Sequence, residues 1–454
     1  MNPHYESKEP MTSQKPKTSK VSQPGKPKVQ PKKPPKEEET VEELSPKEKA
    51  DALIKKFSSN THWRGIAQVR RASDVSVPYH LRRPTGVMGL DLALGGGWAA
   101  GGVAQVYGSG SAGKTHLTFR TAAQVQQNYG EDAVIFIANS EIRVDKSFAR
   151  RSGFCVAYSD DEIEEFNGIR ISKGLGPFTP EEVADLQKQI GTVIVSAGVT
   201  GDVLLDTTIE ALRDLGSSCQ LIIVESLGSL LTPDQDGKNV GDRVYGGTAG
   251  ILTTWQNKNY PLFMLDLMSN RPLETTILCI NQVRAVIDGG PHGPKLRPAA
   301  GSHSIAHAQL ASLELRTGET LYEDKAKTIK NGHTIKWEIK KGKAGTHDGL
   351  RGEYNWYHMP AFEPVFWSEI ETRGCAFGID AVTELCDTAC SLGVVRGGAQ
   401  LTFDDGFGPP MVIRGTKESP AKEQLPNVVV NDTALEKRIR QACLASANLT
   451  VRYR

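Results

Sequence analysis

The sequence lacks any apolar run long enough to cross a bilayer, which would need about 20 consecutive apolar residues. The first ten residues, MNPHYESKEP, have no apolar segment behind their charges and do not resemble a secretion signal. We therefore expect a cytoplasmic protein without membrane contacts.

Cysteine is also scarce and irregularly spaced. Seven cysteines are scattered over 454 residues without a CxxC pair, which argues against a disulfide framework and against a zinc site. Cys386 and Cys390 are four apart in a helical pattern, and a buried helix face explains that spacing more simply than a metal does. We interpret the cysteines as reduced structural thiols.

Net charge is nearly absent, at +1, but the charges are unevenly distributed. Residues 1–36 contain nine Lys, two Glu and eight Pro, so this stretch carries +7 and the other 418 residues carry −6. A segment of this composition cannot bury enough surface to offset its ordering entropy, and we expect residues 1–40 to be disordered. The basic tail is either solubilising or a sequence-independent contact with nucleic-acid phosphates.

What is present is an alternation of short apolar runs with helical patterns from about residue 83 onward. Near-continuous apolar strands interleaved with helices predict an α/β fold with a mainly parallel sheet flanked by helices on both faces. The runs are VAQVYG (103–108), AVIFIAN (133–139), LIIVES (221–226) and TTILCIN (275–281).

Composition shifts divide the chain into parts. Residues 40–59 place acids first and lysines late, as an amphipathic helix favours, and a polar, acidic stretch at about 155–191 suggests an insertion. A helix, a hairpin and a second helix beyond residue 379 predict a small C-terminal α+β domain. The predicted divisions are the tail (1–40), an N-terminal helix and linker for subunit docking (41–82), the core (83–378) and the C-terminal domain (379–454).

The most informative motif is GSGSAGKT at residues 108–115, which follows a predicted strand and precedes a helical run. It fits the phosphate-binding loop (P-loop) G-x-x-x-x-G-K-[ST], in which backbone N–H groups and a helix N-terminus attract an anion. We expect Lys114 to neutralise β- and γ-phosphate oxygens and the Thr115 hydroxyl to bind Mg²⁺. The residues predicted to bind the nucleotide here are Gly108, Ser109, Gly110, Ser111, Ala112, Gly113, Lys114, Thr115 and His116.

Polar side chains end three of the other predicted strands, at the edge where ligands of open α/β sheets lie. Glu225 could complete the metal site, or it could simply cap its strand. Glu141 could orient the attacking water, or it could be an exposed loop acid. Gln282 is suited to contacting a γ-phosphate and passing the signal to the basic, glycine-rich residues 283–302, which show no regular period.

The order of these pieces resembles the RecA family of recombinases over most of residues 83–400. The lead-in PTGVMGLDLALGGGWAAGGVAQVYGSGSAGKTHLTFR is the most specific stretch, with TG, LD, ALG and GKT in register. FIANSEIRVDKSFARRSG, IIVESLGSL and INQVR resemble the family's glutamate segment, metal-binding strand and γ-phosphate sensor. The resemblance implies ATP and Mg²⁺ as cofactors and catalytic roles for Glu141, Lys114 and Gln282.

The resemblance also implies contacts with adenine, with a neighbouring subunit and with DNA. Asp145 and Phe148 match the positions that flank the adenine ring. Lys341 and Lys343 match lysines that reach the ATP of the next subunit, although lysines on an edge strand can also serve only to resist aggregation. The implied DNA-binding residues, on or beside loops at about 234–247 and 283–300, are Arg243, Arg284, Lys295, Arg297, Gly301 and Ser302.

The function that the resemblance implies is an ATP-dependent recombinase that binds single-stranded DNA as a helical homo-oligomeric filament and pairs it with double-stranded DNA during recombination and repair. The chain departs from the family pattern in several ways: Glu225 replaces Asp, residues 283–300 contain no Phe, Tyr or Trp, one extra residue precedes Glu141, and an insertion is present. A viral or otherwise divergent member fits these departures. The alternatives are a non-filamentous RecA-like accessory ATPase and a hexameric helicase.

Overall fold

The computed structural model describes residues 45–59, 81–140, 145–197, 200–232, 247–268, 273–286, 295–298, 307–324, 326–358, 364–368 and 378–449. The predicted tail lies outside these residues. Within them, no helix is long and apolar enough to cross a membrane.

The elements follow one another as strands and helices in the order expected of an α/β chain. The strands are β1 (Arg82–Arg83), β2 (Trp98–Ala99), β3 (Gly102–Gly108), β4 (Val134–Asn139), β5 (Thr192–Ala197), β6 (Leu221–Glu225), β7 (Thr276–Val286), β8 (Lys295–Pro298), β9 (Ala311–Tyr322), β10 (Lys330–Gly342), β11 (Arg351–Tyr357), β12 (Gly378–Ile379), β13 (Arg396–Gly397), β14 (Gln400–Phe403) and β15 (Met411–Arg414). The α-helices are α1 (Pro46–Ser59), α2 (Met88–Ala93), α3 (Lys114–Tyr129), α4 (Lys146–Arg151), α5 (Asp160–Ser172), α6 (Pro180–Leu186), α7 (Gly201–Leu215), α8 (Gly247–Met268), α9 (Ala381–Ser391), α10 (Ala421–Val430) and α11 (Thr433–Ser446).

One ten-stranded sheet organises the chain, in the order β12-β11-β10-β9-β3-β7-β6-β4-β5, with β8 paired to β7 off this path. The six strands from β9 to β5 are parallel, and β10 to β12 extend the sheet in the antiparallel sense. This confirms the predicted mainly parallel sheet.

Successive residues of the central strands pack into two different apolar cores. Ile135 and Ile137 of β4 join the core that contains α3, whereas Phe136 and Ala138 join the core that contains α7 and α8. Because side chains alternate between the faces of a strand, a strand covered on both sides must be apolar throughout. This is why the central strands read as unbroken apolar runs.

Strand β7 is longer than the sequence pattern predicted. We expected a strand at 275–281 followed by an irregular loop, but the strand continues to Val286 and pairs antiparallel with β8. Glycine and proline are frequent in residues 289–294, a composition typical of hairpin turns. The sequence analysis considered only the apolar period and therefore did not predict the β7–β8 pairing.

The predicted insertion is a folded unit with its own apolar cluster. Capping boxes begin both of its helices, Ser159 with Glu162 for α5 and Thr179 with Glu182 for α6. Phe366, which is distant from the insertion in the sequence, packs into this cluster beside Phe178, with ring centroids 6.0 Å apart. Residues 364–368 are therefore part of the same packing unit as the insertion.

The C-terminal residues form the helix, hairpin and helix that the sequence predicted, in α9, β14–β15 and α11, and also α10, which was not predicted. Their apolar cluster includes Met88 of α2. Glu384 of α9 accepts hydrogen bonds from the main-chain N–H groups of Met88 and Gly89, both at 2.6 Å. Every cysteine in the described residues is a free thiol; Cys386 is buried and Cys390 half-buried.

Candidate nucleotide-binding site

The loop between β3 and α3 has the tight backbone of a phosphate-binding loop. Gly113 is the N-cap of α3 with φ +80°, and Ser111 also lies in the left-handed region with φ +57°. A Cβ atom at Gly108 would overlap the carbonyl oxygen of Leu315, and one at Gly113 would lie 2.5 Å from Cδ1 of Ile335. Space therefore requires glycine at position 108, and the left-handed backbone favours glycine at position 113.

Lys114 lies folded back over this loop. Its Nζ donates hydrogen bonds to the main-chain carbonyls of Gly108, at 3.1 Å, and Ser109, at 2.7 Å. An ammonium group thus sits among the main-chain groups of the loop at the N-terminus of α3. This combination favours an anion such as a phosphate.

Thr115 and Glu225 meet directly beside that lysine. The Thr115 hydroxyl donates a hydrogen bond of 2.5 Å to Oε1 of Glu225, which ends β6 and is 8% exposed. Hydroxyl and carboxylate oxygens are suitable ligands for Mg²⁺. The residues present therefore fit a magnesium ion bound next to phosphate, with these two side chains as its protein ligands.

Ser140, which sequence reasoning did not single out, joins the ends of β4 and β6 next to Glu225. Its main-chain N–H donates to the Glu225 carbonyl at 2.6 Å, and its Oγ accepts from the Ser226 N–H at 2.8 Å. Its hydroxyl also hydrogen-bonds that of Ser229 at 2.6 Å. No signal in the sequence separates Ser140 from other serines, because its partners are 85 to 89 positions away. Glu141 lies outside the described residues, and its role as catalytic base stays a prediction.

Gln282 lies next to the P-loop, because it pairs directly with Gly108 in the parallel pairing of β3 with β7. Its side chain is exposed, while the preceding Asn281 is buried and accepts the Gln282 N–H at 2.9 Å. The predicted γ-phosphate sensor is thus at the loop, on the strand that continues into the β7–β8 hairpin.

Asp145 and Phe148 occupy the first turn of α4. Asp145 Oδ1 accepts from the Phe148 N–H at 2.9 Å, which caps the helix. The half-buried Phe148 ring packs 5.7 Å from the imidazole of His116, measured between ring centroids. This places both predicted adenine-flanking residues near the first turn of α3.

The His116 side chain is buried, and its predicted role in nucleotide binding stays a prediction. It is 1% exposed, its Nδ1 lies 2.8 Å from Ser152 Oγ, and its Nε2 accepts from the Ile379 N–H at 3.2 Å. Burial lowers the pKa of His116 to about 3, so the ring is neutral at physiological pH. The side chain is a core residue that links α3 to the C-cap of α4 and to β12.

Lys341 and Lys343 are not brought to the P-loop of their own chain. In the ladders, Lys341 pairs with Ser312, which pairs with Gln105, three positions before the end of β3. Lys343 Nζ donates to the carbonyl of His307 at 2.6 Å. Burial and the neighbouring Lys343 lower the pKa of Lys341. Both lysines therefore lie away from the P-loop, toward the end of the sheet where β3 begins.

The predicted DNA-binding residues are described only in part. Arg243, Gly301 and Ser302 lie outside the described residues. The main chain of the other three belongs to the β7–β8 hairpin, where Arg284 pairs with Arg297 and Val286 pairs with Lys295. Three basic residues thus share one hairpin, whose pairing begins at Val283, directly after Gln282.

Known proteins resemble this chain in the same region. The family profile described as the RecA N-terminal domain matches residues 65–159. The curated protein named Protein RecA from Prochlorococcus marinus strain MIT 9301 is 24% identical over 369 residues, covering 81% of this chain and 82% of the relative. Protein RecA of strain MIT 9515 is 24% identical over 363 residues, covering 80% of each chain. These matches extend over four fifths of the chain, which resembles the RecA family at 24% identity.

Proposed function

We propose that this protein belongs to the RecA family and is a DNA-dependent ATPase that assembles as a filament on single-stranded DNA and promotes homologous pairing and strand exchange. The observation that carries the proposal is the convergence of Thr115 and Glu225, at 2.5 Å, beside the Lys114 ammonium group. This arrangement suits a nucleoside triphosphate with its magnesium ion.

Each residue of the loop has a distinct part in nucleotide binding. Lys114 neutralises the terminal phosphates, and Thr115 and Glu225 hold Mg²⁺, with Ser140 fixing the position of the strand end that carries Glu225. Bound Mg²⁺ would neutralise charge on the phosphate oxygens. Glu141, which directly follows Ser140, orients the attacking water.

The coupling between nucleotide and DNA follows from the continuity of β7. Gln282 lies beside Gly108, and Arg284 belongs to the same strand two residues farther along. A change at Gln282 on loss of the γ-phosphate is transmitted to the basic hairpin by a strand, which is stiffer than a loop. Because residues 283–300 have no Phe, Tyr or Trp, the hairpin holds DNA by charge, and the bases remain free to test pairing.

Subunit contacts complete the proposed mechanism. Lys341 and Lys343 lie toward the end of the sheet where β3 begins, away from the P-loop of their own chain. A role of these lysines at a nucleotide therefore requires the P-loop of a neighbouring subunit. Filament assembly and ATP occupancy then depend on each other.

Electron microscopy of the full chain with single-stranded DNA and a non-hydrolysable ATP analogue tests the proposal. We expect extended helical filaments that are absent for Lys114→Ala, while Lys173→Ala, a change at an exposed lysine of the insertion, leaves them intact. Closed rings would indicate a helicase. Absence of assembly, with ATP hydrolysis retained, would favour the accessory ATPase that the missing loop aromatic and Glu225 also suit.

A further inference from the structure

We propose that His116 is a positioning residue of the nucleotide site, which fixes helix α4 against the P-loop helix α3 and thereby sets where the Phe148 ring meets the nucleotide base. The inference rests on the proposed function, in which the P-loop binds a nucleoside phosphate, and on the expected place of Phe148 beside the base. His116 is buried and directly follows Thr115, the predicted magnesium ligand.

A chain of three hydrogen bonds crosses the His116 ring. The main-chain N–H of Ile379 in β12 donates to His116 Nε2 at 3.2 Å. On the other edge of the ring, Nδ1 lies 2.8 Å from the Ser152 hydroxyl, and this hydroxyl donates to the main-chain carbonyl of Phe148 at 2.8 Å. His116 thus connects the first turn of α3 to β12 on one side and to α4 on the other.

The direction of this chain follows from its first bond. A ring nitrogen that accepts a main-chain N–H carries no proton, so the proton of the neutral ring is at Nδ1. Nδ1 therefore donates to Ser152 Oγ, whose own proton goes to the Phe148 carbonyl. The imidazole suits this position because it has an acceptor on one edge and a donor on the other.

The ring itself is held in place by the strands on its far side. Gly378 in β12 has φ +84°, and a Cβ atom there would lie 2.2 Å from His116 Cε1. The Trp356 ring of β11 packs edge-on against the imidazole, with centroids 6.2 Å apart. Strands β11 and β12 therefore set the position of the ring, and the hydrogen bond to Ser152 transfers that position to α4.

Helix α4 depends on such contacts because it has only six residues, Lys146–Arg151. A helix of this length is marginal on its own in water. The half-buried Phe148 ring lies 5.7 Å from the His116 ring and 6.2 Å from the Phe119 ring, but apolar contacts are not directional and would let the helix shift. Because Ser152 is the C-cap of α4, its hydrogen bond with His116 fixes the end of the helix against α3.

Competition binding with full-length proteins tests the inference: ADP or inorganic tripolyphosphate displaces a fluorescent ADP, in Mg²⁺ and without DNA. Tripolyphosphate has no base, so the ratio of the two affinities measures the contribution of the base. His116→Asn keeps a donor near the Nδ1 position, whereas His116→Gln keeps an acceptor near the Nε2 position. We expect His116→Gln to bind ADP about fivefold more weakly, the size of one lost hydrogen bond, with tripolyphosphate binding unchanged. His116→Asn should bind both compounds like wild type.

Ser152 allows the same bond to be tested from its other end. Ser152→Ala should weaken ADP binding as much as His116→Gln does, and the double variant should lose no more, because both changes remove one shared hydrogen bond. Ser147→Ala is the matched control, since Ser147 is also on α4 but its hydroxyl accepts from Arg151. We expect Ser147→Ala to leave both affinities unchanged.

Three results would overturn the inference: wild-type ADP affinity in His116→Gln, equal weakening in His116→Asn and His116→Gln, or a loss that affects ADP and tripolyphosphate alike. If thermal unfolding shows that the His116 variants do not fold, Ser152→Ala decides, and unchanged ADP affinity in that variant would overturn the inference. Failure of the wild-type chain to bind either compound would instead overturn the proposed function of the loop, and the inference with it.

Discussion

The Thr115 hydroxyl and the Glu225 carboxylate are in direct contact at 2.5 Å, although the two residues are 110 positions apart. Thr115 lies in the first turn of the helix after β3, and Glu225 ends β6, with β7 between these strands in the sheet. The carboxyl ends of parallel strands bring them to the same edge.

If this pair holds Mg²⁺, Glu225→Gln should raise the Mg²⁺ concentration that half-saturates ATP hydrolysis by about tenfold or more, because one charged ligand is lost. Mg²⁺ titration of the ATPase measures this, with Glu210→Gln, an exposed site on α7, as control. An unchanged Mg²⁺ requirement would mean that Glu225 only caps its strand.

Glu141→Gln should leave ATP binding within about twofold and reduce hydrolysis by roughly 10² to 10⁴, the usual contribution of a general base. Nucleotide titration and single-turnover hydrolysis separate the two effects. A normal hydrolysis rate would move the base elsewhere, and Glu225 would be the next residue to test.

Deletion of residues 1–36 removes a segment of charge +7. If that segment contacts phosphates, single-stranded DNA binding should weaken and its logarithmic dependence on salt concentration should become shallower, because fewer counterions are released. Fluorescence anisotropy at several salt concentrations gives the slope. Identical slopes for the two proteins would assign the tail a solubilising role.

Asp91 predicts a pH dependence of stability. It is fully buried, accepts the Thr85 N–H at 2.6 Å, and has Arg440 at 3.7 Å. Burial raises the pKa of Asp91 from 3.8 to about 6. A raised folded-state pKa means that protonation stabilises the fold, an effect present in full below about pH 4 and lost as the pH rises through about 6.

Compared with Asp91→Asn, the wild-type chain should therefore lose about 2 kcal/mol of unfolding free energy between pH 4 and pH 7. Urea unfolding at both pH values measures the difference, and Asp161→Asn, at an exposed position on α5, controls for general charge effects. Parallel pH profiles for wild type and Asp91→Asn would contradict the prediction.

The nucleotide loop could be predicted because phosphate binding depends on contiguous residues, from Gly108 to Thr115, between a strand and a helix. Glu225 and Gln282 could be assigned to the same edge because parallel strands end together. The β7–β8 hairpin was missed because an antiparallel extension of a parallel strand depends on pairing rather than on apolar period.

The sequence by itself determined the sheet, since unbroken apolar strands must be covered on both faces, and it determined the phosphate loop, whose chemistry is local. The tertiary structure alone decided that Ser140, from the end of another strand, supports the strand end that carries Glu225. It also decided that His116 is a core residue and that Ser368 binds Asp185 of the insertion, 183 positions away. Such contacts depend on how strands and loops from distant parts of the chain come together, and no local pattern of residue types encodes that.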